Sequence, residues 1–393
     1  MLESTVASVE DRKRLDLQIA QWQFLLMQPE YDEEEKKKVR SNFMDVVIKQ
    51  EMAPYYEYAC SEMGIEVDQM LLKKLKDSNE EKLKSFDAKI EDAEKNLGES
   101  EVREAYARKA EYLCSIGDKE KALTAFSVTY AKSVGAGKKI DIIFTEIRLG
   151  LFFMDHTLIA AKLGLAQELM EQGGDWDRKN ALKAYEGLYR MSIRDFKKAA
   201  NLFLDAVSTF TCYELMSYEK LVFYAVITSM IALERNELRD RVVKCAEIIE
   251  QLHGQAELRQ YLFSLYECDY AGFFRGLANM ETKLKFDRFL SPHYRFYTRS
   301  MRAKVYKQLL SSYRSLTLQY MAEAFGVSEK FIDKELHQFI ASGILHCKID
   351  RVRGVVETSQ LDSKNWQYES IIRDGDVLLN RIQKLSRVIN MLK

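Results

Sequence analysis

Apolar residues recur at three- and four-residue steps through most of the chain, the mark of helices that bury one face; they step by two over a single short stretch, residues 344–350. Near the N-terminus the spacing predicts an amphipathic helix from Asp16 to Met27, a polar break from Pro29 to Lys38, and a charge-rich helix from Met70 to Asn96. The blocks EEEKKK and KLKDSNEEKLK alternate both signs of charge, which suits a solvated helix face rather than a nucleic-acid or acidic-partner site. The run LVFYAVITSMIALER is apolar all round. Glu219, Lys220, Glu234 and Arg235 flank it too closely for a membrane segment, so it is expected in the middle of a core. At the C-terminal end, Leu378, Ile382, Leu385, Ile389 and Leu392 follow four-three-four-three spacing, a coiled-coil-type seam with Lys384 and Arg387 on its flanks. Burying one such side chain contributes about 1.5 to 3 kcal/mol, and an isolated helix of this length is marginal in water. The seam is therefore expected to be covered, by helices of other chains in preference to the body of this one.

From about Glu101 a small residue followed four positions later by a large one recurs as Ala122 with Phe126, Ala161 with Leu165, and Ala199 with Phe203, at a period of 38 to 39 residues. Small residues let paired helices approach, and the large ones plug the groove between pairs. Gly117-Asp118 and Asp195-Phe196 mark turns between helices. The pattern predicts a right-handed helical solenoid like that of tetratricopeptide (TPR) repeats, whose extended curved surface suits protein binding.

Residues 312–358 spell a helix-turn-helix followed by a two-stranded wing. Thr317 caps a short helix with Leu318, Met321, Ala322 and Phe325 inward, and Gly326 ends it. Ser328 caps a second helix, expected to bury Phe331, Ile332, Leu336, Phe339 and Ile340 and to stop at Gly343. Then Ile344, His346, Lys348 and Asp350 alternate with Leu345, Cys347 and Ile349, residues 351–354 turn, and Val355 and Val356 begin the return strand. A DNA reader presents basic and amide side chains from its second helix. Here Lys330 and Lys334 stand against Glu329, Asp333 and Glu335, a net charge of about minus one where phosphate contacts need the opposite sign. Packing or protein docking is the expected role, with no DNA partner.

Composition supports a mainly α chain: of 393 residues only 3 are Pro and 17 Gly, while 47% are hydrophobic and 30% charged. With 59 basic and 60 acidic residues, no global field draws the chain to nucleic acid or an anionic membrane. Cys60, Cys114, Cys212, Cys245, Cys268 and Cys347 are scattered without CxxC spacing, as reduced core thiols of a cytosolic or nuclear protein would be. The start MLESTVASVEDRKR has no apolar signal core, and no window holds 18 uninterrupted apolar residues, so a soluble intracellular protein is expected.

Chemistry finds little support. SVGAGKK, residues 133–139, lacks the first glycine and the final Ser or Thr of a phosphate loop and follows a helix, so an inter-helix loop is expected. His156, His253, His293, His337 and His346 form no zinc motif, and His337, His346 and Cys347 are accounted for by packing in the module. No catalytic residue, cofactor or metal is expected. The stretch from Arg288 to Lys307 interleaves Arg288, Arg295, Arg299, Arg302, Lys304 and Lys307 with Phe289, Tyr294, Phe296, Tyr297 and Tyr306. That composition suits RNA phosphates and base stacking. The preferred alternative is two helices with aromatics inward and arginines outward or paired.

A solenoid running into a winged helix and a terminal helix is the layout of the PCI domain of proteasome lid, COP9 signalosome and translation initiation factor complexes. The segments NLGESEVREAYARKAEYLCSIGDKEKALTAF, GDWDRKNALKAYEGLY, FKKAANLFLDAVSTFTCYELMSYEK, SYRSLTLQYMAEAFGVS, LHCKIDRVRGVVET, DSKNWQY and LLNRIQKLSRVINM resemble the regulatory subunit 6 family of the 26S proteasome. The first 95 residues resemble it more loosely, through LDLQIAQWQFLL and MAPYYEYAC. The resemblance implies an N-terminal helical region over 1–99, a solenoid over 100–290, the winged-helix part of a PCI domain over 291–361 and a bundle helix over 362–393. It also implies a non-catalytic scaffold of the proteasome lid, cytoplasmic and nuclear, supporting lid assembly and ATP-dependent degradation of ubiquitinated proteins. Its partners would be other PCI-domain lid subunits, the deubiquitinating lid subunit and the ATPase ring. Leu378 to Leu392 would join a helical bundle, and Leu345, Cys347, Ile349 and Val355 a winged-helix edge shared with a neighbour. A signalosome subunit and an RNA-binding PCI protein are the alternatives.

Overall fold

The computed structural model describes residues 15–171, 173–358 and 363–391. Internal contacts divide the chain into two compact units, one formed by residues up to 262 with 278–297, the other by 263–277 with 298 onward. Among the described residues the chain is mainly helical, with a small sheet. No helix among the described residues is long and apolar enough to cross a membrane.

The helices begin with α1 (Leu17–Met27), α2 (Glu33–Gln50), α3 (Ala53–Met63), α4 (Gln69–Asn96), α5 (Glu99–Ser115) and α6 (Lys119–Ala131). They continue through α7 (Ala136–Phe153), α8 (His156–Glu171), α9 (Trp176–Ser192), α10 (Phe196–Val207), α11 (Tyr218–Ala232), α12 (Arg235–Leu238) and α13 (Ala246–Gly254). Then come α14 (Ala256–Glu267), α15 (Tyr270–Lys285) and α16 (Tyr294–Ser311). The small module is β1 (Ser315–Thr317), α17 (Leu318–Phe325), α18 (Glu329–Ala341), β2 (Cys347–Asp350) and β3 (Val355–Thr358), and α19 (Ser363–Met391) ends the chain. Asp16 and Asp68 cap α1 and α4 through their carboxylates. The expected polar break after α1 is shorter than predicted: Asp32 ends it, and EEEKKK forms the start of α2, where acidic residues face the positive helix end.

The solenoid has a corner motif that explains its repeat. Two residues before each second helix the backbone is left-handed (Gly117 at φ 80°, Met154 at 55°, Arg194 at 69°), and an aspartate follows at once. Asp118 accepts from the Lys121 amide at 3.1 Å, Asp155 from Thr157 and Leu158 at 3.2 Å each, and Asp195 from Lys198 at 3.4 Å. Four and eight positions beyond these aspartates stand Ala122 and Phe126, Ile159 and Leu163, Ala199 and Phe203, all buried. The second predicted pair is therefore two residues out of phase, and Ala161 and Leu165 face solvent. The cause is a swap of roles between helices. In the α7–α8 hairpin the small residue is Gly150 on the first helix, where a Cβ would stand 2.7 Å from Ile159 Cγ1. The α9–α10 hairpin uses Gly187 in the same way, against the ring of Phe203.

α11 is buried on every side, with Leu221, Val222 and the run from Tyr224 to Met230 all inaccessible. The hydroxyl of Tyr224 donates to Asp287 at 2.7 Å, and Asp287 in turn accepts from the amides of Phe289 at 2.9 Å and Leu290 at 3.2 Å. In the second unit the sheet has three strands in the order β1-β3-β2, all antiparallel, with Leu316 opposite Val356 and Ile349 opposite Val356 on the other side. β1 is the strand absent from the sequence reading. It is three residues long with one inward side chain, Leu316, too short for a period of two to register.

Candidate protein-docking site

Two surfaces were expected to meet partners, the terminal helix and the wing. Along α19 the apolar side chains are bare: Leu378 is 60% exposed, Ile382 54%, Leu385 60% and Ile389 48%. Leu392, the fifth member of the expected seam, lies outside the described residues. Tyr368, Ile371, Ile372 and Leu379 are exposed as well. At 3.6 residues per turn these eight side chains share one side of the helix, a stripe roughly 140° wide. A two-stranded seam is narrower than that, so the stripe has width for more than one neighbouring helix. The four-three spacing marks one half of the stripe and leaves out the other, because Tyr368, Ile372 and Leu379 fall outside that pattern.

The wing differs. Leu345 and Cys347 are buried inside the module, while Ile349 and Val355 are half-buried. β3, which carries Val355, is the central strand with both sides hydrogen-bonded, so β2 and β1 supply the open edges. Phe331, expected inside, is 38% exposed, because α18 turns only Ile332, Leu336 and Phe339 fully inward. Thr317 and Gly326 cap α17 as predicted, Thr317 through a side-chain bond from the Tyr320 amide at 3.2 Å. Glu335 of α18 ties the module to α16 by accepting from Tyr306 at 2.8 Å and facing Arg302 at 3.3 Å.

In the basic stretch before the module Arg288 and Arg302 are engaged internally, while Arg295, Arg299 and Lys307 are exposed. Arg288 donates to the carbonyls of Phe152 at 2.6 Å and Leu151 at 3.4 Å. Arg295 donates to Tyr294 at 3.0 Å and Arg299 lies 5.6 Å from the centre of the Phe339 ring. Phe289, Tyr297 and Tyr306 are buried, whereas Phe296 is exposed with the Arg194 guanidinium over its ring. His337 and His346 are exposed and Cys347 is buried. Among the described residues no group of three or more His, Cys, Asp and Glu is arranged to hold a metal. Burial pushes the thiols of Cys114 and Cys212 up to about 12, which keeps them protonated and poor as nucleophiles.

Family models match in chain order: the 26S proteasome subunit RPN7 over residues 68–241, the PCI domain over 269–360, and the C-terminal helix of the 26S proteasome regulatory subunit RPN7/PSMD6 over 367–389. The 26S proteasome non-ATPase regulatory subunit 6 of Caenorhabditis elegans is 51% identical over 382 residues, covering 95% of this chain and 93% of the relative. The homolog from Arabidopsis thaliana is 51% identical over 368 residues, 94% of this chain and 95% of its own. The 26S proteasome regulatory subunit RPN7 of Saccharomyces cerevisiae is 36% identical over 399 residues, 95% of this chain and 93% of its own.

Proposed function

The chain belongs to the family of 26S proteasome non-ATPase regulatory subunit 6, and from that premise we propose that it is a non-catalytic scaffold subunit of the regulatory particle lid. It supports lid assembly and, through the assembled particle, ATP-dependent degradation of ubiquitinated proteins in the cytoplasm and nucleus. Its partners are other PCI-domain lid subunits, the deubiquitinating subunit and the ATPase ring. The chain is divided into a helical region to residue 99, a solenoid over 100–290, the winged-helix part of the PCI domain over 291–361 and a bundle helix over 362–393.

The observation that carries this reading is the bare stripe of α19. A helix that exposes Leu378, Ile382, Leu385 and Ile389 forfeits several kcal/mol if nothing covers them, at about 1.5 to 3 kcal/mol for each full burial. Helices of sister subunits are the covering we assign, and the work done is burial and shape, with no bond made or broken. At the wing, Ile349 and Val355 meet a neighbour from the sheet surface while Leu345 and Cys347 support it from beneath. The test is the double variant Ile382→Ala with Leu385→Ala. Affinity purification from cells followed by mass spectrometry is expected to show its loss from the lid while the free chain stays folded. Normal incorporation refutes the bundle role.

A further inference from the structure

The solenoid holds a groove of about 530 Å³ that none of the surfaces above uses. Its size falls within the range of ligand pockets. It is lined mainly by α5 and α7, the first helices of two successive hairpins, with Leu15, Phe126 of α6 and Glu214 from the loop after α10.

Two guanidinium groups in this groove have buried N–H donors with no acceptor, Nη1 of Arg148 and Nε of Arg103. Arg148 is the deeper, only 6% exposed. Among the described residues its ion-pair partner is Glu214, which stands 3.9 Å away, too far for a hydrogen bond, and accepts from Tyr185 at 3.0 Å. A buried donor to which nothing is bonded costs about 1 to 3 kcal/mol, more for a charged group. An arginine held at the base of an open groove in this state is matched by a planar anion that brings two acceptor oxygens, which a carboxylate does.

Which carboxylate fits is decided by the walls. Phe126, Ile142 and Phe144 line the same groove and offer an apolar wall beside the cation. Its acidic side chains are Glu104, Glu111, Asp141 and Glu214. Glu104 is matched by Arg108 at 2.9 Å, and Asp141 by Arg178 at 2.8 and 2.9 Å. Arg103, Arg108, Lys138 and Arg148 offset these acids, so a single carboxylate is accommodated where a run of acidic side chains would be repelled. A chain end carries one carboxylate directly beside its last side chain, which is the combination of anion and apolar group that the groove presents.

We propose that this groove binds the C-terminal carboxylate of an extended peptide whose last side chain is apolar, with Arg148 as the anchoring cation and Arg103 as the second donor. The site is independent of the bundle helix and is tested on the free full-length chain. The probes are two libraries of fluorescein-labelled octapeptides ending in Leu, Phe or Met, one with a free carboxylate and one amidated. Fluorescence anisotropy is expected to show at least about tenfold tighter binding of the free-acid library, the discrimination of a charged contact worth 1.4 kcal/mol. Arg148→Met removes that preference. If this buried variant fails to fold by circular dichroism, Arg103→Gln, at a half-exposed position, decides the matter by reducing the preference at least threefold. Equal binding of the two libraries, binding of neither, or tighter binding of an amidated Glu-rich octapeptide overturns the proposal, as does a preference that survives both substitutions.

Discussion

α11 and α19 both carry dense runs of Leu, Ile and Val, and they meet opposite fates. α11 is closed off on every side by its own chain, down to a hydrogen bond from Tyr224 to the buried Asp287. α19 leaves its whole apolar stripe open to solvent. The difference lies less in hydrophobicity than in where polar residues fall. In α11 charges are confined to the ends, so any orientation buries apolar surface. In α19 Arg373, Asp374, Arg381, Lys384 and Arg387 reserve part of the circumference for water, so a neighbour is best accommodated on the other side. One helix completes a fold, and the other leaves its apolar stripe uncovered.

Substitutions sharpen that contrast in order of effect. Phe203→Ala, at a fully buried ring packed on Gly187, should cost about 3 to 5 kcal/mol of stability in urea unfolding of the free chain. Gly187→Ala forces a Cβ to within 2.8 Å of that same ring and should cost about 1 to 3 kcal/mol by overpacking. Asp155→Ala removes the cap of α8 and should cost about 1 kcal/mol, read as a lower thermal midpoint. The Lys119 ammonium beside Asp155, hydrogen-bonded at 2.6 Å, holds its carboxyl well below the usual carboxylate range. The stability this contributes is present above the unfolded pKa and is lost as pH falls through the folded one, so the variant and the parent should converge in strong acid. Smallest of all, the Ile382→Ala and Leu385→Ala double variant should leave the free chain within about 0.5 kcal/mol of the parent. A loss above 1 kcal/mol there would mean that α19 is covered by its own chain, and the comparison would fail.

The parts of the fold most readable from sequence were those with local punctuation. Thr317, Gly326 and the alternation after Gly343 name the module, because caps and turns depend on neighbours in the chain. The second solenoid repeat was mis-phased because Gly150 and Ile159 exchange the small and large roles between helices, a compensation invisible to a search along one helix. The stripe of α19 was legible in one half and not in the other. The wing residues were legible as strand members, but which strand is central depends on β1, which brings Ser315 to Glu357 across forty-two positions. The groove at Arg148 was hidden altogether: its residues are spread from Leu15 to Glu214, and its arginine stands among apolar neighbours in α7.

The corners of the solenoid bear on how such a chain can change. Gly117 admits no side chain because Tyr55 Cβ would stand 2.7 Å away. Arg194 holds a left-handed backbone that costs a non-glycine residue about 1 to 2 kcal/mol, and its guanidinium lies 4.8 Å from the ring of Phe296. Asp155 answers Lys119 from the preceding corner. Each joint is keyed to a different distant residue, so these hairpins are not interchangeable cassettes. Duplicating, deleting or shuffling one would break locks elsewhere, which leaves substitution at exposed positions as the open route to diversification.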